Sequence, residues 1–214
     1  MKKNRIFIVL LLLIAVLSGC TRTKTEPSLD SVLSNVRQLG ENLESLTAEL
    51  VYSSASEGVL INQRYTLLYS KGRYRLEGID SEGRVQGNLF DGEDAWGYVI
   101  GEKEVSVIRN SKTADMFAEL RNFGKNDDLK YQGTVEIEGR TAHVIEGTKT
   151  FEGSPSATMT WWIDEKTWFP FILESTQAGV TSRATYQNFA VNPALDDKLF
   201  TFTPPEDAII HELP

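Results

Sequence analysis

Residues 158–171 read Thr158-Met159-Thr160-Trp161-Trp162-Ile163-Asp164-Glu165-Lys166-Thr167-Trp168-Phe169-Pro170-Phe171. Up to Trp161 the residues alternate polar and apolar, the period of a strand with one face in a core. Asp164 then opens Glu165-Lys166-Thr167, a turn whose N–H groups an Asp carboxylate accepts. Pro170 stands where the returning strand begins, a position that tolerates the missing donor. Asp164 and Pro170 are thus read as turn architecture rather than ligand contacts. The segment is a hairpin.

The same texture extends in both directions. Arg73-Tyr74-Arg75-Leu76-Glu77 alternates, as does 130–138, and Trp96 and Tyr98 share a parity. Turn signals fall at Glu57-Gly58, Lys71-Gly72, Glu82-Gly83, Asp91-Gly92, Gly101, Glu138-Gly139, Glu152-Gly153 and Gly179. Short strands so punctuated predict a mainly β, α+β chain: a single curved antiparallel sheet or incomplete barrel of about ten or eleven strands between 47 and 203. Two helices interrupt the pattern. From Ser28 to Leu46, apolar residues at Leu29, Val32, Val36, Leu39, Leu43 and Leu46 form one helical stripe, with Ser28 as N-cap and Asp30 in the first turn. A shorter helix is predicted over Ser111–Phe123, with Met116, Phe117, Leu120 and Phe123 on one side. Both are placed as lids on the concave face.

The N-terminus is of another kind. Lys2, Lys3 and Arg5 precede twelve unbroken apolar residues, Ile6–Leu17, too short to span a bilayer comfortably. The ending Leu17-Ser18-Gly19-Cys20 resembles the lipobox of bacterial lipoproteins. That resemblance implies a signal peptide over 1–19, lipid attachment at Cys20, a tether over 20–27 and one domain over 28–214. Extended, the tether reaches about 25 Å. The location implied is extracytoplasmic, on the outer face of a cell membrane or the periplasmic side in a host with two membranes. Acyl chains on Cys20 would be the membrane partner, and a monomer is expected.

Charge and composition exclude several function classes. The 214 residues carry a formal charge of −8, which removal of residues 1–19 deepens to −11, against nucleic-acid binding. One cysteine rules out a disulfide framework within the chain, and two histidines leave little for metal or acid–base chemistry. His143 is read on a strand, open to solvent, and His211 in the tail. No serine elbow, phosphate loop or zinc helix motif occurs, and Asp91-Gly92-Glu93-Asp94 lacks the order of a calcium loop. No enzyme, cofactor or metal is expected.

Alternation places Tyr74, Leu76, Trp96, Tyr98, Tyr131, Val135, Ile137, Trp161, Ile163, Phe171 and Leu173 on apolar faces, with Arg73, Arg75, Lys130, Glu136, Thr160 and Glu174 opposite. These aromatics either fill a closed core or line a cavity that two short helices leave open; periodicity alone leaves both readings standing. Trp162-Ile163-Asp164 through Thr167 to Pro170 resembles the W-I-D-x-x-T-x-x-P hairpin of the outer-membrane lipoprotein carrier superfamily, the LolA- and LolB-like proteins. Asn188-Phe189 to Pro205, with Asn192, Leu195, Phe200-Thr201-Phe202 and Pro204-Pro205, is similar to that group's closing strand. The resemblance runs over roughly 29–210, with its specific motifs in the last third.

It implies an incomplete antiparallel barrel, not an enzyme, that binds acyl chains of lipids or lipoproteins. The cavity residues expected are Tyr74, Leu76, Trp96, Tyr98, Trp161, Ile163, Phe171 and Leu173, under a 111–123 lid that moves. Soluble carriers lack a lipobox, so Cys20 makes this chain look like the anchored receptors. Two alternatives stand beside this reading: a regulatory module of the same fold binding a membrane protein, and a structural sheet with a filled core.

Overall fold

The computed structural model describes residues 26–214 apart from positions 57, 113, 114, 126 and 152. Cys20 and the leader lie outside the described residues. Among those described, no helix is long and apolar enough to cross a membrane.

Helix α1 (Leu29–Asn42) starts as its sequence directs, the Ser28 hydroxyl accepting from the Ser31 N–H at 3.2 Å. It ends earlier than the stripe predicts. Leu43 is already extended, and Leu46 belongs to the first strand. The helical spacing ran on because Leu43 and Leu46, though off the helix, bury in the same core. Asn192, at φ 56°, fixes this corner: its amide oxygen accepts from the Glu44 and Ser45 N–H groups, and its amide nitrogen donates to the Asn42 carbonyl at 2.9 Å.

Twelve strands follow: β1 (Ser45–Ser56), β2 (Val59–Ser70), β3 (Arg73–Ile79), β4 (Val85–Phe90), β5 (Ala95–Val99), β6 (Glu104–Ile108), β7 (Asp128–Ile137), β8 (Arg140–Phe151), β9 (Ser154–Asp164), β10 (Pro170–Gln177), β11 (Val180–Val191) and β12 (Ile209–Glu212). They make one sheet in the order β12-β6-β5-β4-β3-β2-β1-β11-β10-β9-β8-β7. All neighbours are antiparallel except β12, which runs parallel to β6. The ends β7 and β12 are not joined, so the barrel is incomplete, as predicted.

The added strand comes from the tail. The expected closing strand stops at Val191; the tail then forms a 3-10 helix, Asp197–Phe200, and pairs only at Ile209–Glu212. Phe200 is buried beneath the guanidinium of Arg73, which also pairs with Asp197 at 2.6 Å.

The mid-chain lid is present in a tighter form. Its helical part is a 3-10 helix over Ala118–Asn122, not a helix over 111–123. Its route is set by topology, for β6 lies near one edge and β7 is the opposite edge. The linking segment therefore crosses the concave face. There it packs on α1, with Phe117, Leu120 and Phe123 buried beside Val32, Leu33 and Val36 in the main core. Met116, the fourth predicted lid residue, turns outward and is 40% exposed.

Candidate functional site

Register decides which side chains share the concave face. Leu46, Tyr69, Tyr74 and Phe90 lie in one cross-strand row, and Ala48, Leu67, Leu76, Asn88 and Gly97 in the next but one. Tyr69 meets Phe117 of the lid edge-on at 4.9 Å, so this parity is concave. On the other half of the sheet Trp161 meets Phe123 of the lid at 5.4 Å, and Leu173 is its cross-strand partner. Ile163 and Phe171 are wholly buried in the same core. Six of the eight expected cavity residues therefore belong to one face.

The other two do not. Trp96 pairs with Leu89, and Leu89 with Arg75; Tyr98 pairs with Gly87, and Gly87 with Glu77. Their parity is that of Arg75 and Glu77, so both rings stand on the convex face. There they form a separate cluster with Leu89, Val105 and Val107, covered by Phe202 and Ala208 of the tail. Phe202 stacks on Tyr98 at 4.5 Å, and the Tyr98 hydroxyl donates to Glu77 at 2.7 Å. Both are apolar positions of their strand, as the alternation says, but strand-internal period does not reveal which face a neighbouring strand presents. Val135 is likewise 41% exposed, near the edge of the sheet. Phe202→Ala should lower Tm by several degrees, for a loss of about 2 kcal/mol, and leave concave-face binding as in wild type. Thermal melts with ligand titration test both halves; a matching loss of binding would return Trp96 and Tyr98 to the site.

The concave floor is filled over one half and open over the other. Beneath α1 and the lid, Leu46, Leu67, Tyr69, Ile145, Ile163 and Phe171 are sealed. Beyond them Leu50, Tyr52, Tyr65, Leu76, Trp161 and Leu173 are half-buried, and they are contiguous. Trp161 pairs with Leu173, Leu173 with Ala184 and Ala184 with Tyr52; Leu50, two residues along, pairs with Tyr65. Tyr65 lies over Gly78, where a Cβ would meet its ring at 2.6 Å. Leu50, Tyr52 and Tyr65 were missed from the sequence, because they lie in strands that alternate less cleanly than 73–77.

One acid holds the lid. Asp115 accepts from the Tyr69 hydroxyl at 2.9 Å, from the Phe117 N–H at 3.0 Å and from Arg121 at 2.8 Å, while Arg37 of α1 donates to the Phe123 carbonyl at 2.9 Å. Burial alone would raise the Asp115 pKa, but these donors outweigh it and hold the carboxyl below its ordinary range. Burial and the Asp115 bond push Tyr69 up to about 12. His143, read as solvent-facing, is buried instead: Nδ1 lies 3.0 Å from the Tyr131 hydroxyl and the ring stacks on Trp168 at 5.1 Å. Asp164 and Pro170 sit in the β9–β10 turn. No group of three or more metal-ligating side chains is found among the described residues.

No family model matches this chain, and no curated protein matches it. Solved structures do share its fold. An uncharacterized conserved protein from Thermus thermophilus is 13% identical, with a TM-score of 0.57 over 87% of this chain and 100% of the other. The lipoprotein LppX of Mycobacterium tuberculosis is 12% identical, with a TM-score of 0.53 over 79% of this chain and 99% of that one. A LolA superfamily protein from Nitrosomonas europaea is 15% identical, with a TM-score of 0.43 over 82% and 98% of the two chains. The first two likenesses are of fold.

Proposed function

We propose that this chain is a lipoprotein, anchored through Cys20 on the extracytoplasmic side of a bacterial membrane, whose concave face receives acyl chains of a lipid or an acylated protein. The observation that carries the reading is the half-buried apolar floor running from Trp161 through Leu173 and Tyr52 to Leu50 and Tyr65. It continues a sealed core: Trp161 at its inner end touches Phe123 of the lid, and Leu173, Tyr52, Leu50 and Tyr65 run out beyond the buried cluster. Acyl chains laid along it would gain roughly 0.8 kcal/mol per methylene removed from water. A fold shared with a mycobacterial lipoprotein supports the same reading, as does the lipobox resemblance of 17–20.

The test is native mass spectrometry with lipid extraction on the chain from Glu26 onward, which holds every element described. A reproducible adduct of acyl-chain mass is expected, lost in Trp161→Asp. Tyr52→Asp, placed away from the sealed core, guards against simple unfolding and should weaken retention at least tenfold. A clean apo mass that refuses added lipid, or adducts retained by both folded variants, would overturn the proposal.

A further inference from the structure

Strand β2 outruns its neighbour. It pairs with β1 over its whole length, Val59 to Ser70, but with β3 only from Tyr65 to Ser70. Residues 59–63 therefore have a strand on one side only. Two tight turns show which of their backbone groups are left over. The β1–β2 and β2–β3 hairpins are closed by the pairs Ser56–Val59 and Ser70–Arg73, each pair separated by two residues in the chain. In such hairpins the closing pair exchanges both hydrogen bonds, and direction then alternates along the strand. Odd residues of β2 point N–H and C=O at β1, and even residues point them toward β3. Leu60 and Asn62 thus aim two donors and two acceptors at the place where β3 no longer runs, while the Arg64 carbonyl still meets the end of β3 at Gly78 and Ile79.

The protein blunts its other edges. β12 is four residues long. β7 carries a bulge between Tyr131 and Gly133 and the charges of Asp128, Lys130 and Glu136. Bulges, charges and short length are the usual protections of an edge. The overhang Val59-Leu60-Ile61-Asn62-Gln63-Arg64 has no bulge in its pairing with β1, no proline, and one charge at its inner end. Its large apolar residues stand in water, Val59 63%, Leu60 64% and Ile61 49% exposed, with Ile79 beside them at 71%. A groove of about 1150 Å³ follows this edge, floored by the end of β3 and the start of β4.

We propose that this edge is a strand-addition site for an extended segment of about six residues from a partner protein, apolar at alternate positions and carrying net positive charge. The added strand would continue the line of β3, giving Leu60 and Asn62 their missing hydrogen bonds. Its apolar side chains would meet Ile61 and Tyr65 on one face and Leu60 and Ile79 on the other. The charge preference comes from the lining, where Glu49, Glu77 and Asp80 face one guanidinium, Arg64. Arg64 is bound to Glu49 at 2.7 Å and Asp80 is answered by Arg84, so Glu77, whose near partner is the neutral Tyr98 hydroxyl and whose cation Arg75 stands off at 3.9 Å, carries the surplus. A chain of charge −8 adds a long-range pull on a cationic segment and opposes a second copy of itself. The site lies outside the lid and shares only Tyr65 with the proposed acyl floor.

The experiment is hydrogen exchange on the full chain with a synthetic octapeptide of alternating lysine and valine, with its glutamate–valine counterpart and a proline-interrupted lysine peptide as controls. The Leu60 and Asn62 amides should exchange fast in the free protein and slow at least tenfold with the lysine–valine probe alone. Asn62→Pro removes one outward N–H and leaves the β1 ladder intact, so it should fold as wild type and weaken the probe at least tenfold. Leu60→Lys, a charge set on the edge, should weaken it as well. Equal protection by all three peptides, or none, would refute strand addition, and so would unchanged binding to Asn62→Pro. Protection of the free protein that rises with its own concentration would replace the partner segment by a second copy.

Discussion

Asp164→Ala should cost about 3 kcal/mol and lower Tm by roughly 6–12 °C. The side chain is 3% exposed, yet it accepts from the Lys166 and Thr167 N–H groups at 3.1 and 2.7 Å, from the Thr167 hydroxyl at 2.8 Å and from Arg140 at 3.1 Å. Truncation leaves those donors without their common acceptor, and it strands a cation on Phe189, whose ring Arg140 covers at 4.3 Å. The turn also holds Trp168 at φ 61°, a left-handed conformation that a bulky residue keeps only when its surroundings compel it. With Asp164 gone that compulsion weakens, and Phe169, wholly buried against Phe117, Tyr186 and Phe189, shifts with it.

Asp164→Asn should cost less, because its amide oxygen still accepts from the turn. Here pH separates charge from shape. Burial alone would raise the Asp164 pKa, but the Thr167 and Arg140 donors outweigh it and hold it below 3.8. A folded-state pKa below the unfolded one stabilises fully above pH 3.8 and is lost as pH falls through the folded value. The gap in stability between wild type and Asp164→Asn should therefore close at acid pH. Denaturant melts from pH 7 to pH 2.5 measure it; a gap constant across that range would mean the charge contributes nothing.

Gly40→Val should detach the mid-chain segment from α1. A Cβ at Gly40 would lie 2.7 Å from the Leu120 carbonyl carbon, the Leu120 Cβ and the Arg121 nitrogen. Two of these are backbone, so no rotamer change relieves the contact. On an uncrowded helix, Gly→Ala would gain up to about 1 kcal/mol from propensity alone. Here the steric term wins, so Gly40→Ala should already destabilise and Gly40→Val should cost about 3 kcal/mol. Leu120 and Phe123 would lose their seats, and amides of 117–124 should exchange at least tenfold faster while β8 and β9 keep their protection. If Gly40→Ala raises Tm and 117–124 stays protected, the close approach of lid and helix is not what holds the segment down.

Much of this fold was legible in the sequence because its devices are local. The Ser28 cap, the Asp164 turn and the glycines of the tight hairpins each need only a few neighbouring residues, and each stands where expected. What depended on register was not. Tyr74 and Trp96 look alike within their own strands, and only the pairing of Trp96 with Leu89, and of Leu89 with Arg75, sends one ring inward and the other out. Leu46 kept the helical spacing while already in a strand, since helix and strand bury toward one core. His143 sits where a polar residue signals solvent, and a tyrosine hydroxyl and a stacked indole made burial affordable instead. Half of the open concave floor was likewise hidden, because Leu50, Tyr52 and Tyr65 acquire a common face only once β1 finds both of its partners.

That double pairing of β1 also has a temporal side. Leu46 stands opposite Tyr69 on one flank and Val191 on the other, and α1 buries in a core that includes Ile163, Phe171 and Phe189. A chain made N-terminus first presents α1 and one raw margin of β1 long before residues 180–191 exist to cover them. Closing so long a loop must precede any reward from the contacts it permits, which places assembly among the slow, millisecond-to-second class. Until then the leading half carries an uncovered amphipathic helix, a state prone to sticking. Completion waits for the last third of the chain, and until then the first half must be kept from premature company.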